Sequence, residues 1–460
     1  MTKTSKLWSK KSKKEFSRLL QQKNPTTDVA CDRFNLLVIT QFFPPDYAAT
    51  GQLIQELAHN LGENNVQVNV FTGQPGYAFK QKQAPNKEVG KNLTVRRSRT
   101  VKIASSRIRA KAFSGMIFTL RATLTLLKNG RKNNVALLTT APPFLSIAGY
   151  IANLVLGLEY ICLIYDLYPD AVVELGVTSE DSLITKLWNK INARVWRRSK
   201  KIVVLSETMK QRITDKHPLV ADKISVIHNW ADSDWIKPIQ KQENWFARQH
   251  GIDHKFTVLY SGNMGRCHDA DTILKTIELL QNEPVQFVFI GAGTKHEVCR
   301  QTVEKLKLNN CTFLPYQDKT NLPYSLTACD LALVSIAPGL EGVVAPSKLY
   351  GIMAAGKAIA AICEPHSYLR EIVSDAQCGA SFDNENSRGL ADFIMNLAAN
   401  PELPLEMGKS GRKYMVENFT PKIIAKQYCD VLNIDANQPS KNIQPAQVKH
   451  LIKDTLISDI

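Results

Sequence analysis

Short apolar segments alternate with segments of helical periodicity along most of this chain, and the alternation runs through two cycles. The strand-like segments of the first cycle are residues 36–40, 66–72, 135–139, 161–165, 202–205 and 225–227. Those of the second cycle are residues 257–260, 286–290, 312–314, 331–334 and 358–361. Continuous apolar strands separated by helices are typical of parallel sheets covered on both faces. The pattern therefore predicts an α/β fold with two doubly wound, Rossmann-like domains facing a central cleft.

The two cycles also predict the domain organisation. The chain has 460 residues and 44% hydrophobic content, which is enough for two cores. We expect a basic N-terminal extension (1–31), a first domain (32–231) and a second domain (232–415). Residues 435–460 are rich in Asn, Gln and Pro, and we expect a flexible tail there. Ligands of doubly wound sheets bind beyond the carboxyl ends of the strands, so the cleft is the expected site.

The positive charge is concentrated rather than spread. The formal net charge is +16, and no Asp or Glu occurs between Glu88 and Glu159, where many Lys and Arg lie. An apolar stripe at helical spacing lies within this segment: Phe113, Met116, Ile117, Leu120, Leu124 and Leu127. The combination is typical of an interfacial helix, and it predicts an anionic membrane surface as a partner. A core-facing helix with solvated lysines is the alternative. Nucleic acid is not expected, because zinc spacings and interleaved exposed aromatics are missing from the sequence.

Cysteine usage and hydropathy bear on location. The nine cysteines form no C-x-x-C pair, and several lie in apolar segments, which favours a reducing compartment. The basic N-terminus has no apolar segment of the kind a secretory signal needs. Residues 143–165 are apolar but interrupted by Asn153 and Glu159, which predicts a buried helix followed by a strand. We expect a cytoplasmic protein, peripheral on the inner face of the cell membrane.

The segment EGVVAPSKLYGIMAAGKAIAA, residues 341–361, carries the strongest functional signal. It reads as a loop, a helix that Ser347 can cap, a glycine end at Gly356 and a buried strand. Backbone N–H groups at a helix N-terminus favour an anion, and Lys348 adds a positive charge beside them. This segment therefore predicts a phosphate site.

Other strand ends extend that prediction. Gly51 opens the helix after the first strand, where its small size lets a ligand approach the backbone. The second cycle begins with YSGNMGR, in which Gly262 and Asn263 precede Arg266, a side chain able to bind a diphosphate with two hydrogen bonds. The next strand ends in Gly291-Ala292-Gly293. Together with Lys348, these residues are expected to form one phosphate-binding rim.

The ordered set of motifs FFPPDYAATGQL, DLYPD, VIHNWAD, YSGNMGR and EGVVAPSKLYGIMAAGKAIA resembles glycosyltransferase family 4. It is most similar to the branch that assembles bacterial exopolysaccharide, colanic-acid-type and O-antigen sugars, and the resemblance covers about residues 34–432. It implies a GT-B fold with an acceptor-binding first domain, a nucleotide-sugar-binding second domain and a crossover helix within 416–434. It also implies sugar transfer with retention of configuration, with no metal and no cofactor, the nucleotide sugar being a substrate.

The resemblance implies roles for individual residues. Arg266 and Lys348 would hold the donor diphosphate, and Glu341 would contact hydroxyls of the donor sugar. Apart from the resemblance, Asp166 lies at the end of a predicted buried strand inside the expected cleft, where a carboxylate could orient an acceptor hydroxyl. Contacts with the donor nucleotide or sugar are implied for Gly51, Gly262, Asn263, Gly291, Gly293, Tyr316, Gly342, Val343 and Ser347. The acceptor would be lipid-linked or a growing saccharide.

Two departures from the family pattern affect the expected donor site. Gly351 stands where a second glutamate usually binds the ribose, which leaves Ser347, Tyr350 or Glu371 as candidates for that contact. A lysine usually found after Arg266 is missing, and His268 is its nearest replacement. A histidine there would be charged only at low enough pH.

Several residues have competing interpretations. The Asp-x-Asp patterns at 232–234 and 269–271 resemble metal motifs, but their positions favour helix caps or linkers. Asp166 and Asp170 fit either an acceptor contact or loop capping, and His228 fits a structural role. Two other functions stay open: a catalytically silent polysaccharide-assembly protein, and an epimerase or hydrolase of nucleotide sugars with the same architecture.

Overall fold

The computed structural model describes residues 33–46, 48–75, 83–98 and 108–434, and side chains of the helix that begins at 108 are described from residue 113. The predicted N-terminal extension and C-terminal tail lie outside these ranges. The strands are β1 (Asn35–Ile39), β2 (Gln67–Thr72), β3 (Lys87–Val89), β4 (Leu93–Arg97), β5 (Val135–Thr139), β6 (Glu159–Leu163), β7 (Lys201–Val204), β8 (Ile224–Val226), β9 (Phe256–Asn263), β10 (Val285–Ala292), β11 (Cys311–Leu314), β12 (Leu331–Ser335), β13 (Ala358–Ile362) and β14 (Gly379–Phe382).

Helices connect most of these strands. They are α1 (Ala49–Glu63), α2 (Ile108–Asn129), α3 (Ser146–Leu156), α4 (Asp170–Glu174), α5 (Leu183–Arg198), α6 (Glu207–Lys216), α7 (Trp245–Gln249), α8 (Ala270–Leu279), α9 (Thr294–Leu306), α10 (Leu322–Thr327), α11 (Lys348–Ala354), α12 (Tyr368–Asp375), α13 (Ser387–Ala399), α14 (Glu402–Asn418) and α15 (Pro421–Leu432). Short 3-10 turns occur at Gly130–Lys132, Pro218–Lys223, Lys241–Glu243 and Lys319–Asn321.

The strands form two sheets, which confirms the predicted α/β fold class. The first sheet has the order β3-β4-β2-β1-β5-β6-β7-β8, and the second has the order β11-β10-β9-β12-β13-β14. All neighbours are parallel except β3 and β4, which are antiparallel. Every strand predicted from the sequence is present, whereas β3, β4 and β14 were missed.

Helices cover both faces of the first sheet because its strand side chains alternate between two cores. Val38 and Leu137 point to the face covered by α1 and α15, whereas Ile39 and Leu138 point to the face covered by α2, α3, α5 and α6. The last helix, α15, therefore completes the core of the first domain although it follows the second domain in the chain.

Helix α2 has one buried and one exposed apolar face. Phe118, Ala122 and Leu126 are buried against the sheet. The predicted stripe lies on the other side: Phe113, Met116, Leu120 and Leu124 are each more than half exposed, and Ile117 and Leu127 are partly buried. The core-facing alternative is therefore wrong for most of this stripe.

The basic surface is smaller than the sequence indicates. Arg97 lies in the basic segment, yet it is buried and pairs with Glu88 at 2.7 Å. Its guanidinium also donates to the backbone oxygens of Pro44 and Pro85. Arg97 therefore stabilises the pairing of β3 with β4 and does not belong to the exposed basic surface.

The apolar segment 143–165 folds as predicted, with α3 followed by β6. Gly157 ends the helix in a left-handed conformation (φ 69°) and turns the chain into the strand. Among the described residues, no helix is both long and apolar enough to cross a membrane.

Candidate functional site

The carboxyl ends of β9 and β10 come unusually close together, and glycines make this possible. A Cβ on Gly291 (φ 136°) would lie 2.2 Å from the carbonyl oxygen of Gly262. A Cβ on Gly293 (φ 137°) would lie 2.4 Å from the carbonyl oxygen of Met264. Any other residue at either position would separate the two loops. The predicted glycines of the rim therefore adjoin one another at the edge of the second sheet.

Lys348 reaches the same edge from the start of α11. A Cβ on Gly262 would lie 3.9 Å from its Cε atom, and its Nζ atom lies 3.5 Å from the centre of the Tyr260 ring. The nitrogen is buried and has no hydrogen-bond partner among the described residues. Burial lowers the pKa of Lys348 well below its usual value. An anion placed here would supply the missing acceptor and the compensating charge.

Helix α11 itself contributes less to the predicted phosphate site than its sequence indicates. Helix α11 has 7 residues, and Ser347 occupies its N-cap position with helical backbone angles and no side-chain capping bond. The predicted Ser347 cap is therefore wrong, because capping needs an extended backbone that turns the hydroxyl toward the next amides. The group that can carry positive charge at this point is the Lys348 amine, which gains a proton when an anion is bound.

Arg266 follows β9 and is exposed, with no ion pair to any residue that the structure describes. Asn263 is exposed at the end of the same strand, and Tyr316 is half-buried two residues beyond β11. These positions lie beyond the carboxyl ends of β9 and β11, the two neighbours of β10, and doubly wound sheets bind ligands at this edge.

His268 does not replace the missing lysine as a cation. Its Nδ1 atom lies 2.9 Å from the backbone oxygen of Ser335, which makes that nitrogen the donor. Burial, together with the positive end of Lys348, lowers the pKa of His268 to about 3. The ring is therefore neutral at physiological pH, and it does not supply the positive charge of the missing lysine.

Glu341 is buried at the boundary between the domains. Its Oε1 atom accepts a hydrogen bond of 2.8 Å from Thr208 Oγ1 in the first domain. Its Oε2 atom is buried and has no partner within the described residues. Buried carboxylate oxygens are rarely left unpaired in proteins. The free oxygen is an acceptor available to a ligand hydroxyl.

The loop after Glu341 docks on the first domain through its backbone. Arg212 Nη1 donates to the backbone oxygen of Glu341 at 3.0 Å, and Leu167 N donates to the backbone oxygen of Val343 at 2.9 Å. A Cβ on Gly342 (φ 71°) would lie 2.7 Å from the backbone oxygen of Thr208. Gly342 and Val343 thus contact the first domain directly, and their predicted contact with a donor stays a prediction.

Asp166 lies in the turn that this loop contacts. It pairs with Val344 through an isolated antiparallel bridge, and its N–H lies 3.3 Å from Thr140 Oγ1. Burial raises the pKa of the Asp166 carboxyl to about 6. Burial, with a smaller effect of the Asp166 charge, also raises the pKa of the Cys267 thiol to about 11.

Asp170 has a different role from Asp166. Its carboxylate is buried and pairs with Arg212 at 3.1 Å and with Lys216 at 2.8 Å. An acceptor contact is therefore not available to Asp170, and the structural interpretation holds. Arg212 joins this ion pair to the Glu341 loop, because it also donates to the backbone oxygen of Gly339.

Gly51 lies in the first turn of α1, where its own chain approaches it closely. A Cβ there would lie 3.0 Å from Phe42 C and from Phe43 N. The glycine lets the helix pack on the loop after β1. Its predicted approach to a donor stays a prediction.

The position of Gly351 does not resemble a ribose site. A Cβ on Gly351 would meet Leu326 at 3.5 Å and Ile236 at 4.0 Å, both apolar. Tyr350 is buried, and its hydroxyl lies 3.3 Å from His228 Nδ1, so it is not free for a ribose either. Glu371 is exposed in α12, and Ser347 is half-exposed. His228 also packs on Tyr368, as its predicted structural role requires.

The two Asp-x-Asp patterns have the structural roles expected for them. Asp232 Oδ1 accepts from the backbone N–H groups of Asp234 and Trp235. Asp269 caps α8 by accepting from Thr272 N at 3.0 Å. Both carboxylates are used by the fold.

The residues that sequence reasoning missed are those that hold the predicted ones. Tyr260 lies under Lys348, and Thr208 and Arg212 hold Glu341 and its loop from the other domain. No sequence signal connects Thr208 with Glu341, which lie 133 residues apart. The arrangement as a whole offers one buried amine, one exposed guanidinium and one free carboxylate oxygen along a cleft.

Two family models match successive parts of the chain. The Glycosyltransferase Family 4 model matches residues 50–235, and the Glycosyl transferases group 1 model matches residues 241–414. The first match falls within the first sheet and its helices, and the second covers the rim around Lys348.

Individual relatives are similar over most of the chain. WbjE of Pseudomonas aeruginosa, named a probable glycosyltransferase, is 27% identical over 332 residues, which are 70% of this chain and 79% of WbjE. WcaI of Escherichia coli (strain K12), named for a glycosyl transferase of colanic acid biosynthesis, is 21% identical over 355 residues, covering 73% of this chain and 85% of WcaI. The crystal structure of Anabaena HepE in complex with UDP and glucose superimposes with a TM-score of 0.62 at 15% identity, covering 87% of this chain and 100% of HepE.

Proposed function

Because this chain belongs to the family 4 glycosyltransferases and has the GT-B fold, we propose that it transfers a sugar with retention of configuration from a nucleotide-sugar donor to a lipid-linked or growing polysaccharide acceptor. The unpartnered amine of Lys348 carries this proposal, since it lies beside Gly262 at the sheet edge and lacks an acceptor. A donor diphosphate is an anion of the size and charge that such a position requires.

The chemistry follows from where charge develops. As the glycosidic bond breaks, the nucleoside diphosphate leaves with additional negative charge, and prearranged cations stabilise that charge more in the transition state than in the ground state. Lys348 and Arg266 supply these cations without a metal. Lys348 then binds a proton together with the diphosphate, because the anion removes the cost of charging a buried amine.

Glu341 binds the donor sugar, and Asp166 binds the acceptor. The free Oε2 atom of Glu341 accepts a hydroxyl of the donor sugar, while Thr208 fixes the other oxygen. Asp166 lies in the turn that the loop after Glu341 contacts, and its carboxylate accepts a hydrogen bond from the hydroxyl of the acceptor. The acceptor attacks on the face that the diphosphate vacates, and its proton passes to the departing oxygen.

The exposed stripe of α2 supports a peripheral position on a membrane. Phe113, Met116, Leu120 and Leu124 would enter the interface, and the exposed Lys128, Arg131 and Lys132 at the end of the helix would contact anionic headgroups. A cytoplasmic enzyme attached to the inner face of the cell membrane in this way would meet its lipid-linked acceptor there.

Thermal unfolding with nucleotides tests the donor site. The protein is melted with UDP, GDP, ADP and their sugar conjugates, and a ligand at a hundredfold over its Kd adds about 2.7 kcal/mol to the free energy of unfolding. We expect a shift with one nucleotide class that Lys348→Ala abolishes and that Lys275→Ala, a change of an exposed lysine in α8, retains.

The outcomes distinguish the alternatives. Absence of a shift with every nucleotide would overturn the donor site and favour a silent assembly protein. A shift accompanied by donor turnover without any acceptor would favour an epimerase or hydrolase.

A further inference from the structure

The first turn of α5 exposes three large apolar side chains. Leu183 is 85% exposed, Ile184 is 71% exposed, and Leu187 is more than half exposed. A single exposed leucine needs no explanation, but a cluster of three on adjacent turns indicates an interaction surface. The helix is already anchored without them, because Val195 and Trp196 are buried in the core. These three side chains are therefore available to a partner.

This cluster lies on the same side of the first domain as the exposed stripe of α2. Helix α3 packs against both α2 and α5, and Phe144, just before α3, contacts Trp188 of α5 with ring centres 5.0 Å apart. We use the name lipid face for the exposed apolar side chains of these three helices: Phe113, Met116, Leu120, Leu124, Leu154, Val155, Leu183, Ile184 and Leu187. The lipid face spans one layer of helices, as contact with a flat surface requires.

The charges beside the cluster favour an anionic surface. Helix α5 contains no acid, and its exposed basic residues are Lys186, Lys190, Arg194, Arg197 and Arg198. Glu180 and Asp181 precede the helix, but they pair with Lys216 at 3.5 Å and Lys186 at 3.1 Å. Apolar side chains flanked by Lys and Arg are the pattern of interfacial membrane segments. A protein partner would more often meet a surface depleted of lysine.

We propose that the first turn of α5 is a second membrane-insertion site, which acts with α2 to seat the first domain on an anionic bilayer. This inference rests on the proposed peripheral function and adds the orientation. One inserted helix leaves the protein free to rotate about that helix. A second, separated site prevents that rotation and therefore restricts which side of the first domain faces the lipid.

The same helix connects the membrane to the cleft. Trp188, about 6 Å further along the helix axis than Ile184, stacks on Tyr168 with ring centres 6.0 Å apart. Asn192 Nδ2 donates to the backbone oxygen of Tyr168 at 2.7 Å. Tyr168 belongs to the turn that carries Asp166. The turn that carries the proposed acceptor carboxylate is therefore held directly by α5, the helix whose first residues would enter the bilayer.

Flotation of the full-length protein with vesicles tests the inference. Vesicles contain phosphatidylglycerol and phosphatidylethanolamine, and phosphatidylcholine vesicles serve as the neutral reference. The variants are Leu183→Ser with Ile184→Ser in α5, Leu120→Ser with Leu124→Ser in α2, and a matched pair in the second domain, Val298→Ser with Leu405→Ser. All six side chains are exposed, so the folded state tolerates these changes.

We expect the α5 pair to weaken binding to the anionic vesicles about tenfold or more, since burying one such side chain contributes about 1.5–3 kcal/mol, which is at least tenfold in a partition constant. The α2 pair has a similar effect, the four changes together abolish flotation, and the second-domain pair binds as the wild type does. Binding of the α5 pair equal to the wild type, with loss in the α2 pair, would overturn the second insertion site.

The remaining outcomes separate this inference from the proposed function. A wild type that never floats would overturn both membrane sites, while the nucleotide-induced shift in melting temperature reports the donor site independently. If light scattering shows a wild-type dimer that the α5 pair dissociates, the cluster is a protein interface and the inference is wrong. The α5 pair must keep the nucleotide-induced shift, because it lies outside the donor rim.

Discussion

The amine nitrogen of Lys348 lies 3.5 Å from the centre of the Tyr260 ring and has no hydrogen-bond acceptor among the described residues. The carboxylate oxygen of Glu341 that points away from Thr208 is unpartnered as well. One buried hydrogen-bond donor and one buried acceptor are thus both left without a partner among the described residues. Folding alone gives neither group a partner, and the proposed nucleotide-sugar donor would supply one to each.

Removing the buried amine should stabilise the free protein at neutral pH. Burial lowers the pKa of Lys348, so between that lowered pKa and about 10.5 the unfolded chain binds more protons than the folded one, and the free energy of unfolding rises with pH. We expect Lys348→Met to be more stable than the wild type at pH 7. The difference should narrow by up to about 1.4 kcal/mol per pH unit as the pH approaches 10.5.

Urea unfolding at pH 7, 8 and 9 measures this dependence, with Lys275→Met as the control. The nucleotide that binds the wild type should reverse the order of stability. A Lys348→Met variant that is less stable than the wild type at pH 7 without ligand would contradict the assignment of an uncompensated amine.

Glu341→Gln should impair recognition of the sugar and spare recognition of the nucleotide. The amide keeps the size of the carboxylate but loses its charge, and hydrogen bonds to charged groups contribute about 1.5–3 kcal/mol. We expect kcat/KM for the nucleotide sugar to fall about ten- to a hundredfold, while the Kd of the free nucleoside diphosphate stays the same. Thr208→Val, which removes the side-chain partner across the domain boundary, should cause a smaller loss of the same kind. If Glu341→Gln weakened binding of the free nucleoside diphosphate as much as it lowered kcat/KM for the nucleotide sugar, Glu341 would not be a contact specific to the sugar.

Asp166 should give the reaction an acidic limb in its pH profile. Burial raises the pKa of this carboxyl to about 6, so the carboxylate is lost as the pH falls through 6 and acceptor-dependent transfer declines with it. Asp166→Asn should have a low rate without this limb. Since the folded state binds the proton more tightly than the unfolded state between pH 3.8 and 6, this residue destabilises the wild type above that window, and the variant should be the more stable protein at pH 7. A retained acidic limb in Asp166→Asn would assign the titration to another group.

Glycine substitutions should separate the rim from the helix behind it. Gly291→Ala places a Cβ 2.2 Å from the backbone oxygen of Gly262 in a left-handed conformation, and it should cost at least about 1–3 kcal/mol and weaken nucleotide binding. Gly351→Ala meets only Leu326 at ordinary contact distance, and it should be neutral or stabilise the protein by about 0.5–1 kcal/mol. Gly351→Glu should not improve nucleotide binding, because that position faces Leu326 and Ile236. Improved binding in Gly351→Glu would show that the position faces the ribose.

The sheets could be predicted because their strands are continuous apolar segments of ordinary length. Residues 135–139 and 358–361, for example, could be assigned as strands from this property alone. Strand β4 was missed because Arg96 and Arg97 interrupt its pattern, and β3 was missed because it is three residues long and begins at Lys87. Strand β3 is the edge strand of the sheet and β4 is its neighbour, and burial imposes less on the sequence near an edge.

The rim glycines and Lys348 could be identified because each follows or precedes a recognisable strand. What surrounds Lys348 could not, since its burial against Tyr260 and the low pKa of His268 depend on packing between segments far apart in the chain. The contact between Glu341 and Thr208 crosses the domain boundary, and an amphipathic pattern contains no information about such a pair. The exposed cluster of α5 could not be predicted, because Leu183 and Ile184 are residues of types that usually lie in the core.

Helix α15 belongs to the second half of the chain by position and to the first domain by packing, where Ile424, Tyr428 and Leu432 are buried against α1 and the first sheet. During synthesis the first domain is therefore the last to be finished. A nascent chain whose eight strands of the first sheet have all left the ribosome still exposes the surface of α1 that α15 covers. That surface stays exposed until the whole second domain has left the ribosome. The first domain, which would bind the acceptor, therefore closes only after the second domain, which would hold the donor, has been made. A chain interrupted before residue 421 lacks α15 and leaves the core of the first domain uncovered.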